Sequence, residues 1–364
     1  MKEQGWEVLM VSADGKEVVH AVKHEGVRHE VIPFTRKITP IQDLKCIWRL
    51  FLLFKREKPD IVHTHTPKAG FLGMIAANLA GVPIRIHTLA GMPAMAAKGR
   101  KKSLLENAEK WTYANATEVW PNSKGLYDYL LSQGLTTESN IRLIGKGSSN
   151  GIDLGKYNRA SLKENHLVAA TMRIMPGEYD FIILAVGRLV KDKGIEELVT
   201  AFVNSKIVGM SKLVLLGAFE QDLNPLTQET IQTIREHPKI VQIEWTDHVA
   251  HYLALADVLV HPSHREGFPN VLLEAGAMNV PVICSDIIGN TDLIIQQKTG
   301  LLFPVKDSEV LKEALEFAFV KREKMAQYAE NLFSYIVDNF DRSKIHQEIL
   351  TNYQRLLKVS KMSD

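Results

Sequence analysis

Short apolar runs alternate with longer stretches of helical periodicity along the whole chain. In the first half, residues 8–12, 31–32, 61–64, 84–89, 118–122 and 141–144 read as strands, with helices such as 41–56 and 69–80 between them. The second half repeats the rhythm, with strands at 181–186, 213–216, 240–242, 258–261 and 282–285. The run Phe181-Ile182-Ile183-Leu184-Ala185-Val186 is apolar at every position, the pattern of a strand buried on both faces. Regular alternation of strand and helix builds doubly wound parallel sheets, and two successive series predict two of them. The expected domains are residues 1–155 and 156–342, with the crossover in the polar stretch 150–180. A last helix, 343–358, carries Ile345, Ile349, Leu350, Tyr353, Leu356 and Leu357 at helical spacing.

Composition narrows the class without naming it. A chain of 364 residues is long enough for two sizeable cores. A hydrophobic content of 45% and a charged content of 24% describe an ordinary globular protein. The net charge of +2 gives no electrostatic reason to expect nucleic acid as a partner. Cys46 and Cys284 lie far apart in sequence, which fits a reduced cytosolic protein without a disulfide framework. No run approaches the roughly 18 apolar residues of a membrane-spanning helix. The opening Met-Lys-Glu-Gln-Gly-Trp-Glu has no signal-peptide character, so a cytoplasmic location is expected.

The chemistry concentrates where strands give way to helices. Ser263-His264-Arg265-Glu266-Gly267-Phe268-Pro269-Asn270-Val271-Leu272-Leu273-Glu274-Ala275 follows the strand at 258–261 and places two glutamates with seven residues between them. Gly267 and Pro269 punctuate the loop, and proline suits helix entry. A helix over 270–278 then offers free backbone N–H groups and a positive dipole end, a natural anion site. Glu266 lies in the loop above it and Glu274 about one turn inside. The strand at 181–186 runs into Gly187-Arg188-Leu189-Val190-Lys191-Asp192-Lys193-Gly194. Arg188 and Lys193 set two cations at a strand's carboxyl end, where open parallel sheets bind ligands. Two cations and a helix N-terminus suit a diphosphate. The competing reading makes Arg188 and Lys193 a solvated charge pair at a helix entry, and the two glutamates residues favoured by a helix dipole. No G-x-G-x-x-G follows residue 186, which argues against NAD.

At these residues the chain resembles the family-4 retaining glycosyltransferases of the GT-B fold (glycosyltransferases group 1), in particular the bacterial members that build surface polysaccharide. Pro121-Asn122-Ser123, Asn150-Gly151-Ile152-Asp153, Gly187-Arg188, Lys193-Gly194, Arg265–Ala275, Pro281-Val282-Ile283 and Gly289 fall in the family's order over nearly the whole chain. The resemblance implies an α/β GT-B fold, two doubly wound Rossmann-like domains facing across a cleft, with helix 343–358 packing back on the first. It implies a first strand, a Gly-rich loop and most of a helix ahead of Met1. By this resemblance the N-terminal domain lacks its first strand, which leaves a gap in the sheet or forces re-pairing. It also assigns roles. Arg188 and Lys193 neutralise the donor diphosphate, Glu266 contacts the donor sugar, and Glu274 holds the ribose. Gly267, Phe268, Asn270 and Val271 bring backbone N–H groups near the phosphates. The donor is a nucleotide-sugar, UDP-linked by the same resemblance, and the acceptor a polyprenyl-linked saccharide. No Asp-x-Asp motif is present, so no metal or other cofactor is expected.

Further candidates lie in the first half. His63 and His65 end the strand at 61–64, on one face by alternation. A metal pair there has no evident third ligand. His65, nearer the strand end, is the better candidate on the acceptor side and joins Glu266, Arg188 and Lys193 as a catalytic candidate. Many family members carry His-Gly where this chain has Ala90-Gly91, so the role of that histidine stands unfilled. His87 lies three residues earlier and would need a bend to replace it. Gly91 and Lys101 belong to the same acceptor side, Lys101 within the basic loop 98–102. Helix 41–56 carries Ile41, Leu44, Ile47, Trp48, Phe51 and Leu52. It is either a core-packing helix or, with the basic loop, a peripheral contact with anionic lipid on the inner face of the membrane, and an exposed apolar face would favour the latter. The rival functions are a nucleotide-sugar epimerase on the same fold and a non-catalytic nucleotide-binding protein.

Overall fold

Strand and helix alternate from the first residues of the computed structural model, which describes residues 1–35, 38–177, 180–220 and 224–363. The chain divides into two units, residues 1–122, 126–149 and 347–364 in one and residues 123–125 and 150–346 in the other. The first half runs β1 (Leu9–Ser12), α1 (Lys16–Glu25), β2 (Arg28–Val31), α2 (Pro40–Glu57), β3 (Ile61–Thr64), α3 (Pro67–Ala80), β4 (Ile84–Leu89), α4 (Gly99–Asn115), β5 (Glu118–Pro121) and α5 (Lys124–Ser132). All pairings are parallel, in two ladders: β1 with β2, and β3-β4-β5 in that order. Among the described residues no ladder joins β1 to β3, so the strands of this unit stand as two short sheets instead of one re-paired sheet.

Local chemistry sets the helix starts. Pro40 and Pro67 occupy the first positions of α2 and α3, where the missing N–H would have no helical partner. Asp43 accepts from the Thr39 amide at 3.1 Å and the Thr39 hydroxyl at 2.9 Å, closing the α2 entry. Two expectations fail here. Residues 141–144 form only a single bridge, Val119 to Ile141, because the chain turns away at Gly145, whose φ is +56°. Residues 99–102 are the first turn of α4, not a loop, and the Leu- and Glu-rich sequence that follows sustains the helix.

The second unit runs α6 (Glu164–Ile174), β6 (Phe181–Val186), α7 (Ile195–Val203), β7 (Ser211–Leu216), α8 (Gln228–Glu236), β8 (Ile240–Ile243), α9 (Val249–Leu255), β9 (Val258–His261), α10 (Asn270–Ala277), β10 (Val282–Ser285), β11 (Leu301–Phe303), α11 (Ser308–Val320) and α12 (Arg322–Asn339). Its six strands are parallel in the order β11-β10-β9-β6-β7-β8. Alternation along β6 serves two cores. Ile182 and Leu184 face a layer containing Ala170, Leu253 and Leu272. Phe181, Ile183 and Ala185 face another containing Leu198, Ile231 and Leu315. Full burial of each large side chain contributes about 1.5–3 kcal/mol before conformational entropy is counted. The three-residue β11 is too short to be read from sequence.

The last helix, α13 (Arg342–Ser363), enters the first unit from Gln347 onward. There Leu356 packs with Ile84, Ile86, Trp120 and Ile144, and the Tyr353 ring stacks on Trp120 at 5.6 Å. Both cysteines are free and buried. Among the described residues no helix is long and apolar enough to cross a membrane.

Candidate active site

In the second unit the carboxyl ends of β6 and β9 are neighbours, because the two strands pair with Leu184 opposite Leu259. The loops that leave them carry the two motifs, and the fold fastens one to the other. The His264 amide donates to the Asp192 carbonyl at 2.9 Å, and the Arg265 guanidinium meets the Asp192 carboxylate at 2.8 Å. Gly194, at φ +68°, lies so close to Pro262 that a Cβ there would fall 2.0 Å from its carbonyl oxygen. Gly289, at φ +90°, similarly underlies the carbonyl of Gly267. Only glycine combines that backbone conformation with that approach. The spacing of Lys193, Gly194 and Glu266 is thus one assembled structure.

Glu266 is the electrostatic centre. One carboxylate oxygen accepts from Lys193 Nζ and also meets His261 Nε2 at 3.1 Å. Burial by itself would raise this carboxyl, but the hydrogen bond and charge of His261 and the charge of Lys193 outweigh it, and Glu266 is pulled down to about 2. Arg188, half exposed, is paired with Glu220. From sequence, Arg188 and Lys193 are two cations at the carboxyl end of a strand. In the fold each already holds a carboxylate, Arg188 that of Glu220 and Lys193 that of Glu266. His261, a partner of Glu266, was legible from sequence only as a strand end; its signal was its place as the last residue of β9.

Glu274 lies one turn inside α10, as the spacing predicts. Burial raises its carboxyl above the ordinary range, opposed by a hydrogen bond from Tyr157 and by Lys156. Tyr157 is itself raised, first by burial and then by Glu274. Tyr157 was not foreseen, since it lies more than a hundred residues from Glu274 in sequence. Among the described residues the amides of Gly267, Phe268, Asn270 and Val271 make no hydrogen bond within the chain. They remain available to an anion at the α10 N-terminus. The Phe268 side chain does not share that role. It is buried against Phe340 at 5.4 Å between ring centres.

The first unit sorts its candidates differently. His63 is satisfied on both nitrogens, by the Tyr353 hydroxyl and by Thr88 Oγ1 at 2.7 Å. It therefore has no nitrogen free for a metal shared with His65. The His65 ring lies 4.2 Å from that of His63, at the exposed strand end. His87 does not face outward. It is 1% exposed, bonded through Nδ1 to Thr64 at 2.8 Å and capped by Gly70 of α3. Burial drives it down to about 3, so it stays neutral and enclosed, and an acceptor-side role for it is not supported. Gly91, at φ +147°, follows the exposed Ala90, and Lys101 is exposed on the first turn of α4.

Parallel strands in two α/β units, with paired glutamates and basic loops at the carboxyl ends of one sheet, fit the GT-B fold. Residues 175–334 match the family described as glycosyl transferases group 1, and residues 1–147 match the glycosyl transferase 4-like domain. The chain belongs to this family and is a glycosyltransferase. It is 32% identical over 361 residues to the capsular polysaccharide biosynthesis glycosyltransferase CapM of Staphylococcus aureus, covering 99% of this chain and 93% of that protein. It is 30% identical over 303 residues to the UDP-Gal:alpha-D-GlcNAc-diphosphoundecaprenol alpha-1,3-galactosyltransferase of Escherichia coli, covering 80% of this chain and 74% of that one. Among solved structures, Anabaena HepE with UDP and glucose superposes with a TM-score of 0.80 at 18% identity, covering 95% of this chain and 91% of that one. A glycosyltransferase from Rickettsia africae gives a TM-score of 0.80 at 20% identity, covering 98% of this chain and 92% of that one.

Proposed function

We propose that this enzyme transfers a hexose or N-acetylhexosamine, with retention, from a UDP-sugar to a polyprenyl-linked saccharide in capsular, exo- or lipopolysaccharide synthesis. One observation carries the reading: Lys193, Glu266 and His261 meet beside the free amides of α10, on loops that the fold locks together. As the bond from the anomeric carbon to the β-phosphate oxygen breaks, negative charge grows on the departing diphosphate. Lys193, Arg188 and the α10 amides stabilise that charge where it develops, a role a divalent ion fills in other transferases. The departing phosphate takes the acceptor proton. This leaves little work for a protein base and fits the absence of histidine at Ala90. Glu266, released from Lys193, faces the sugar, and Glu274 accepts from the ribose hydroxyls. The UDP-bound neighbour and the diphosphoundecaprenol-using relative support this choice of donor and acceptor. The test offers nucleotide-sugars and membrane lipid extract to the purified chain, with and without EDTA. EDTA-resistant, acceptor-dependent transfer is the expected result. An epimerised donor without acceptor would establish the epimerase reading, and bound nucleotide without turnover the binding-protein reading.

Glu274→Gln separates stability from function. A buried carboxylate raised by burial is held ionised at a cost, so the amide is expected to keep or increase the melting temperature. The same change weakens acceptance from two hydroxyls, and the donor KM should rise about tenfold or more. A lower melting temperature with unchanged KM would assign Glu274 to structure instead.

The first unit supports contact with anionic lipid. Ile41, Leu44, Trp48 and Leu52 form a stripe on α2 opposite its buried Cys46, Leu50, Leu53 and Phe54, with Ile41 78% and Trp48 60% exposed. Lys45, Arg49, Lys55 and Arg56 are exposed on the same helix, as anionic headgroups require. Leu44→Glu with Trp48→Glu is expected to weaken binding to phosphatidylglycerol vesicles about tenfold or more in co-sedimentation. Slow donor hydrolysis in detergent-free buffer should be unchanged. Equal sedimentation of variant and wild type would remove this contact.

A further inference from the structure

His166, His248 and His251 were not singled out by any motif, yet the second unit brings them together. His248 precedes the first residue of α9, and His251 follows three positions later, the spacing that aligns side chains on one helical face. His166 comes from the first turn of α6, which packs on the same face of the sheet through Ala170 and Ile174. Ring centres lie 4.1 Å apart for His166 and His248, 5.3 Å for His166 and His251, and 5.5 Å for His248 and His251. One nitrogen from each ring lies within 4.8 Å of the other two. His251 is 8% exposed, and neither of its ring nitrogens makes a hydrogen bond of good geometry, the backbone of Lys163 and of His248 approaching it only weakly. A buried imidazole rarely leaves both nitrogens unused. An ion shared with the two neighbouring histidines would supply the strong partner that this ring lacks.

We propose that His166, His248 and His251 form a binding site for a divalent transition-metal ion of the Zn²⁺ class, each giving one imidazole nitrogen. Three nitrogen ligands suit Zn²⁺, Co²⁺, Ni²⁺ or Cu²⁺ and exclude Mg²⁺ and Ca²⁺, which require oxygen. His248 is exposed, so the ion keeps at least one position open to water. Lys163 is the charge that opposes the ion. It is exposed, and its charge acts on His166. No residue of the donor site is a ligand. The ion acts as a clasp, tying α6 to the start of α9 across a span of more than eighty residues. Helix α9 follows β8, so the clasp fixes the first helical turn beyond the carboxyl end of an edge strand.

The test uses the full chain without an affinity tag, stripped with EDTA and desalted, then titrated with Zn²⁺ by calorimetry and with Co²⁺ by visible spectroscopy. One equivalent of each, a Co²⁺ d–d spectrum without thiolate charge transfer, and a raised melting temperature are expected. Mg²⁺ should do none of this. His166→Ala and His248→Ala should each weaken Zn²⁺ binding at least tenfold, and the double variant should abolish the stoichiometric site. Far-UV circular dichroism of the metal-free variants reports whether they fold. Should one fail, the wild-type stoichiometry and Co²⁺ spectrum decide. No saturable binding by the wild type, a thiolate spectrum from Cys46 or Cys284, or equal binding by a folded double variant would each overturn the proposal.

Discussion

Lys193→Ala is expected to reduce kcat and kcat/KM together by about 10²–10³-fold, the scale found when one preorganised charge or donor is removed from a developing oxyanion. The side chain is about three-quarters buried, and the carboxylate it holds is more buried still. Its attraction for a diphosphate is therefore less screened than that of a surface lysine. Arg188 provides the contrast. It is half exposed and paired with Glu220 at the surface, so Arg188→Ala should cost about tenfold. Losing Lys193 also leaves Glu266 buried with only His261 to hold it ionised, and its carboxyl moves up from about 2. Lys193→Arg should restore part of the rate by keeping the charge. Steady-state kinetics over a range of donor concentrations check the assignment. A raised KM with unchanged kcat would place Lys193 in ground-state binding alone.

Gly194→Ala should destabilise the second unit by about 2–4 kcal/mol, combining a left-handed backbone with a backbone clash. The added methyl would lie 2.0 Å from the Pro262 carbonyl oxygen and 2.9 Å from its Cβ, and neither atom sits at the end of a flexible side chain. Relief requires the Lys193 loop to part from the Glu266 loop. The donor affinity should then fall with the stability, even though Gly194 touches no ligand through a side chain. Gly209→Ala is the control, since nothing lies within 4 Å of its added methyl. Urea unfolding should show a lower midpoint for Gly194→Ala at an unchanged slope, and little change for Gly209→Ala. Equal midpoints for the two variants would show that the contact between the loops yields readily.

Much of this protein was legible in its sequence. The fully apolar run at 181–186 announced a strand buried on both faces, and the two motif loops leave the carboxyl ends of β6 and β9 as their spacing predicted. Glycine and proline fixed the backbone where those loops turn. These are short-range features, set by side-chain period, backbone sterics and spacing within one loop, so one dimension suffices to read them. The same local information misled at residues 141–144, where an apolar run lacked a partner along its length, and at 99–102, where a basic cluster concealed a helix start.

What only the tertiary structure decided is which distant groups meet. The pairing of β6 with β9 made Lys193 a partner of Glu266 and drew in His261. Tyr157 reached Glu274, and α6 brought His166 to the histidines of α9. The sheet also sent His87 inward under α3, although its place near a strand end suggested a role outside. Charge state, burial and partnership depend on separation through space and on the dielectric between groups, and neither is a function of distance along the chain.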